Sequence, residues 1–221
     1  MNFLFFDTET TGLPNRSVPL SHPTQPHITQ LGAVLQINGQ DAMILDTLIY
    51  PDRWPVQPCG NIIGQRAMEL TGITPEMCFE AGIPIADAVE MFMIMAANAD
   101  FVVCHNAAFD TKLMGIEYSR LNPINHHAMV LMGKKALCTM KTSTPICKIP
   151  KKDGRTGNKW PKLEEAMMFF FGEKLDGAHN ALVDIQATQR LFNLLASEGH
   201  YDDEFEAFYE VQRARAKAEA A

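Results

Sequence analysis

The feature that most constrains this chain is a pair of acids at the end of an apolar run. Asn2-Phe3-Leu4-Phe5-Phe6 is followed at once by Asp7 and Glu9. Side chains two apart on a strand point to the same side. A buried strand would therefore deliver both carboxylates to one face at its C-terminal end. Thr10-Thr11-Gly12 then turns the chain, since glycine tolerates backbone angles that other residues avoid. Two like charges side by side at the end of an apolar strand are costly unless a cation neutralises them. A divalent metal ion is the simplest such cation.

The 221 residues suit one generous domain, and 47% hydrophobic content is enough for a sizeable core. No run approaches the ~18 apolar residues of a membrane helix, and the N-terminus lacks the basic lead and cleavage site of a signal peptide. Five cysteines, none in a C-x-x-C pair, imply reduced thiols and a cytoplasmic location. The net charge of −7 argues at first against a nucleic-acid partner. Its distribution reverses that impression. Residues 134–162 hold nine Lys or Arg and one acid, Asp153, a surplus of eight that leaves −15 for the remainder. With Trp160 beside them, Lys151, Lys152 and Arg155 are candidates to neutralise phosphates and offer a stacking surface. The alternative, a solvated basic loop without a partner, stays open on charge alone.

In chain order, residues 14–27 carry four prolines and read as a loop. Ile28 to Ile37 reads as a strand, Asn38-Gly39 as a hairpin turn, and Met43 to Tyr50 as the returning strand. A short helix spans about Gly64 to Leu70, and Thr74-Pro75 suits the cap and first position of another. Helical periodicity marks 84–97. Phe101 to Cys104 is a wholly apolar strand, expected to be covered on both faces. A helix from Ala107 to Leu121 follows. Residues 122–160 read as irregular and basic, with a few short elements possible within them. Helices then start at Pro161 and cover about 180–198 and 202–219, the last as a charged outer layer. Strands followed by alternating helix and strand predict a mixed α/β domain.

Two further acids sit on apolar helix faces. Asp110 shares a stripe with Leu113, Met114 and Leu121, and Asp184 with Ala187, Leu191 and Leu195. Either alone would be a helix cap or a buried ion-pair partner. Four acids directed inward by three different elements make that reading much weaker. His179 lies five residues before Asp184, ~140° away on a regular helix, so it is placed on the preceding loop. The other six histidines read as surface or core residues. His126 and His127 with Cys138 and Cys147 match no common zinc spacing.

These residues fall into three motifs: Phe6-Asp-Thr-Glu-Thr-Thr-Gly-Leu13, His105-Asn-Ala-Ala-Phe-Asp110 and His179-Asn-Ala-Leu-Val-Asp184. The chain thereby resembles the DnaQ-like 3′–5′ exonucleases, the DEDDh branch of the DEDD superfamily. The resemblance implies an RNase H-like α/β fold, a mixed central sheet with helices on both faces. It also implies two Mg²⁺ or Mn²⁺ ions held by Asp7, Glu9, Asp110 and Asp184, and His179 as general base. The expected reaction removes nucleoside 5′-monophosphates from the 3′ end of single-stranded DNA. By the same analogy Thr10, Thr11, Gly12 and Leu13 hold the terminal nucleotide, and Asn106 and Phe109 shape the cleft. Residues 1–200 would form the exonuclease domain, with a basic insertion at 134–162, and 201–221 a C-terminal helix. Two alternatives stay open: an exoribonuclease trimming RNA 3′ ends, and a non-catalytic nucleic-acid-binding or polymerase-associated module. The intact set of four acids and His179 speaks against the latter. A polymerase or a second copy of the chain is left open as partner.

Overall fold

The computed structural model describes all residues except 53, 58–59, 123–132, 152–154 and 220–221. Lys152, His126 and His127 therefore lie outside the described residues. Among those described, no helix is long and apolar enough to cross a membrane.

Strand β1 (Asn2–Thr10) lies at the centre of a five-stranded sheet with β2 (Ile28–Ile37), β3 (Gln40–Leu48), β4 (Phe101–Cys104) and β5 (Lys135–Cys138), in the order β3-β2-β1-β4-β5. β1 and β2 pair antiparallel, whereas β1, β4 and β5 run parallel. Asn38 and Gly39 both have positive φ, 51° and 81°, as a two-residue type I′ hairpin demands. That tight turn sends the chain straight into pairing at Ile37 and Gln40. β3 consequently starts and ends earlier than the expected Met43 to Tyr50. β1 also runs further than its apolar residues do. It stays paired with β2 through Asp7, Glu9 and Thr10, with a bulge after Glu9.

Both faces of the sheet are covered. On one, Leu4 and Phe6 pack with α3 (Ile85–Asn98) and α4 (Ala107–Leu121) through Phe92, Met95, Leu113 and Met114. On the other, Phe5, Val34, Phe101 and Val103 meet α6 (Leu163–Phe171), α7 (Ala181–Ser197) and α8 (Asp202–Glu219). α8 contributes Phe205 and Phe208 and is otherwise largely solvated. β4 is buried at all four positions, the expected consequence of cover on both sides. The short helices α1 (Gln65–Thr71) and α2 (Pro75–Ala81) precede α3, and Thr74 caps α2 by accepting from the Met77 amide at 3.4 Å.

The stretch expected to be irregular apart from a few unplaced short elements contains the fifth strand and α5 (Thr139–Cys147). β5 buries only Leu137 fully, so it shows no alternation. α5 has Pro145 inside it, and its Ser143 and Thr144 hydroxyls donate 2.7 Å bonds to the carbonyls of Thr139 and Met140. Residues that ordinarily weaken a helix hide it from periodicity.

One close approach fixes how α7 meets the sheet. Gly32 pairs with Asp7 across the strands. A Cβ there would lie 2.8 Å from both Ala181 Cβ and Ile185 Cδ1. Only the missing side chain lets the first turn of α7 sit on the sheet at this point. Gly32→Val is expected to cost about 2 kcal/mol through overpacking, a Tm loss of roughly 4–8 °C in a chain of this size. An unchanged melting temperature would show that α7 has room to spare.

Candidate active site

The acids converge at the C-terminal end of the parallel pair β1 and β4, where ligands bind in open α/β sheets. Strand alternation sends Asp7 and Glu9 to the α7 side and Thr8 to the α4 side. Thr8 receives the third acid: its amide and hydroxyl donate to Asp110 Oδ1 at 3.1 and 2.8 Å. Asp110 lies in the first turn of α4, where the helix dipole favours negative charge. The residue before that helix, Asn106, has φ 83° and lines the cleft. A left-handed non-glycine backbone is uncommon, and asparagine is among the residues that tolerate it best.

The fourth acid comes from α7. Asn180 caps this helix by accepting from the Val183 amide at 3.3 Å, and Gln30 Oε1 accepts from the Ala181 amide at 3.2 Å. Asp184 then falls in the first turn. His179 sits on the loop before it with φ 68°, and its amide donates to Asp184 Oδ2 at 3.2 Å. The other oxygen, Asp184 Oδ1, is buried without a hydrogen-bond partner. A ring nitrogen of His179 and carboxylate oxygens of Glu9 and Asp184 lie within 4.8 Å of one another.

The carboxyls are driven toward their protonated forms. Burial, then the charges of Asp110, Glu9 and Asp184, hold Asp7 well above the usual carboxylate range. Burial, Asp184 and Asp110 push Glu9 up to about 8. Asp110 is pushed up to about 7, chiefly by burial, against the two bonds from Thr8. Burial also raises Asp184, offset in part by His179. Glu117 shows the opposite arrangement. Burial raises it too, but His27 and Arg120, the latter 2.9 Å away, more than offset this and leave it below its usual value. Among the described residues no lysine or arginine forms an ion pair with any of the four cleft acids. Glu9, His179 and Asp184, whose Oδ1 is the orphaned oxygen, are placed to share a divalent cation. Asp7 and Asp110 lie outside that close group but near enough for Asp110 to raise Asp7, with one Asp110 oxygen engaged by Thr8.

The cleft, of about 430 Å³, takes in Asp7, Glu9, Asp110, His179 and Asp184, with Asn106, Phe109 and Trp160 on its walls. Other sequence candidates lie outside that lining. Thr10 is buried, and its hydroxyl donates to the Gly12 carbonyl at 2.7 Å. Thr11 is buried as well. Its amide donates to the His27 carbonyl at 2.9 Å, its hydroxyl accepts from the His27 amide at 3.0 Å, and its carbonyl accepts from the Gly64 amide at 3.0 Å. Leu13, beyond this knot, is 84% exposed. Lys151 and Arg155 are exposed, with Lys151 Nζ donating to the Thr156 carbonyl at 3.1 Å.

His105, Met140, Lys162 and Leu163 also line the cleft, though none is a site candidate on sequence grounds. His105 reads there as a surface or core histidine, although its position at the end of the buried strand β4 is a signal available from the sequence. Leu121, expected on the Asp110 stripe, is 37% exposed, and Glu117 takes the inward place instead.

The family model of the RNase T type, described as exonuclease, matches residues 4–192. The chain belongs to this exonuclease family. The exonuclease-family chain is also similar in fold to E. coli exonuclease I. The form in complex with a dT13 oligonucleotide superposes with a TM-score of 0.65 at 18% identity over 93% of this chain. The complex with dA16 gives 0.68 at 19% identity over 92%, and the zinc-bound single-stranded DNA complex 0.68 at 19% over 93%. In each case the match covers 43% of the E. coli chain, so this chain spans less than half the length of those enzymes. No curated protein matches by sequence. The mixed sheet with helices on both faces is the RNase H-like α/β fold of these exonucleases.

Proposed function

We propose that this chain is a divalent-metal-dependent 3′–5′ exonuclease that shortens single-stranded DNA one nucleoside 5′-monophosphate at a time. The observation that carries the proposal is the cleft of four crowded acids, none ion-paired to a lysine or arginine among the described residues, with a His179 nitrogen beside Glu9 and Asp184. Oligonucleotides bound to the E. coli exonuclease I neighbours favour DNA over RNA as substrate.

Asp7, Glu9, Asp110 and Asp184 would hold Mg²⁺ or Mn²⁺, which supplies water activation and stabilises developing negative charge. The protein's own share is positioning and proton transfer. His179, on a loop open to the cleft, takes a proton from the attacking water as the new P–O bond forms. The bond to the preceding nucleotide's 3′ oxygen breaks, and that oxygen takes up a proton. Trp160, 61% exposed at the rim, offers a face on which a base can stack.

Incubating 5′- and 3′-labelled single-stranded DNA and RNA with Mg²⁺, Mn²⁺ or EDTA tests this reading. A metal-dependent ladder from 5′-labelled DNA, with immediate release of label from the 3′ end, is expected. Faster attack on RNA would favour the exoribonuclease, and binding without cleavage the non-catalytic module. Neutralising Lys151, Lys152 and Arg155 together is expected to weaken binding. It should also reduce the salt slope of log K by about 0.7 for each phosphate no longer neutralised. An unmoved slope would make the basic segment a loop without a ligand.

A further inference from the structure

We infer that His105 is a positioning residue that fastens the wall formed by residues 160–163 to the acid-bearing end of the sheet, and so governs how tightly a single strand is held. The inference rests on the exonuclease reading but concerns a residue outside the acid cluster and the proton-transfer step.

The imidazole of His105 joins three segments. It follows β4 directly. Its Nδ1 lies 2.9 Å from Thr139 Oγ1, at the start of α5, and its Nε2 lies 3.1 Å from the Pro161 carbonyl oxygen. A carbonyl oxygen only accepts, so Nε2 carries the proton and Nδ1 accepts from the threonine hydroxyl. Both ring nitrogens are thus committed to the protein, and burial holds the ring neutral by pushing it down to about 4. A ring so engaged is unsuited to the proton transfer proposed for His179.

What it holds is a wall of the same cleft. Trp160, Pro161, Lys162 and Leu163 all line the cleft, with Trp160 exposed and Pro161 buried. The neighbouring bonds of this segment are local. The Lys159 amide reaches the Ile149 carbonyl at 2.8 Å, Lys159 pairs with Glu165, and the Lys162 amide reaches Glu165 Oε2 at 2.8 Å. These bonds do not reach β1 or β4. Among the described residues, the hydrogen bond from this segment to the end of β4 runs through His105, and Leu163 adds apolar packing on the cluster that holds Phe5 and Val103.

The test uses His105→Phe, which keeps a ring but no hydrogen bonds, and the milder Thr139→Val, which removes only the hydroxyl. Steady-state anisotropy of Trp160 is read in a Trp54→Phe background, where it is the sole tryptophan. kcat and KM are measured on labelled single-stranded DNA. His105→Phe is expected to lower the anisotropy and raise KM about tenfold, with kcat within a factor of three. Thr139→Val should move both in the same direction by less, and His105→Gln, which retains a donor and an acceptor, should recover part of the loss. Unchanged anisotropy in both variants, or a fall in kcat at constant KM, would overturn the inference. If the wild-type protein cuts nothing, the exonuclease reading fails separately, and the anisotropy still reports on the wall.

Discussion

Replacing His179 by alanine is expected to lower kcat on single-stranded DNA by a factor of about 10²–10⁴ while KM and Tm stay near wild type. The loss is expected in kcat because the imidazole works only while a proton moves. KM should hold because the acids and Trp160 are untouched. Tm should hold because His179 bonds to Asp184 through its backbone amide, which alanine keeps. φ at this position is 68°, but alanine and histidine meet the same Cβ crowding there, so the substitution adds little strain. Raising the pH is not expected to rescue the variant. Wild-type turnover from His179→Ala would remove the histidine from the reaction and leave the water to be deprotonated elsewhere.

A second large effect is expected on stability. In EDTA, the protein should lose about 2 kcal/mol between pH 6.5 and 8.5, a fall of roughly 4–8 °C in Tm. The sign follows from Glu9 and Asp110, whose folded pKa values of about 8 and 7 exceed those of the unfolded chain. The folded state therefore binds more protons across this interval, and deprotonation favours unfolding. Groups shifted the other way act below the window. His105 at about 4 makes stability rise with pH only up to the unfolded histidine value near ~6.5, and lowered carboxylates such as Glu117 act lower still. Saturating Mg²⁺ should flatten the decline. Asp7→Asn, which removes one repelling charge, should raise Tm in EDTA at pH 8.5 while abolishing activity. A flat profile in EDTA would contradict the crowding of the four carboxylates.

The chemistry of this chain is more legible in its sequence than its architecture is. Each acid stands at the end of an apolar segment or on an apolar helix face, a local contradiction visible without any partner. The strands β1, β2 and β4 are equally plain, because burial on both faces leaves a pattern, whereas the helix Ala107–Leu121 shows only a broken stripe, with Asp110, Glu117 and Ser119 buried among its apolar residues. β5 and α5 leave none. One is a four-residue strand with a single fully buried side chain, and the other is held by tertiary cover despite Pro145. The anchoring of Thr11 is hidden for another reason. Its partners are residues 27 and 64, which no spacing rule connects to residue 11. His105 escapes likewise, its partners lying 34 and 56 residues away.

The knot at Thr11 has a consequence for how substrate is met. The turn next to Glu9 is fastened to two distant loops by its own amide, hydroxyl and carbonyl before any strand arrives. On the proposed exonuclease reading, a 3′ end reaching the cleft would find the turn beside Glu9 already in shape, so little conformational freedom would be lost there on association. The encounter would then select the strand rather than mould the protein.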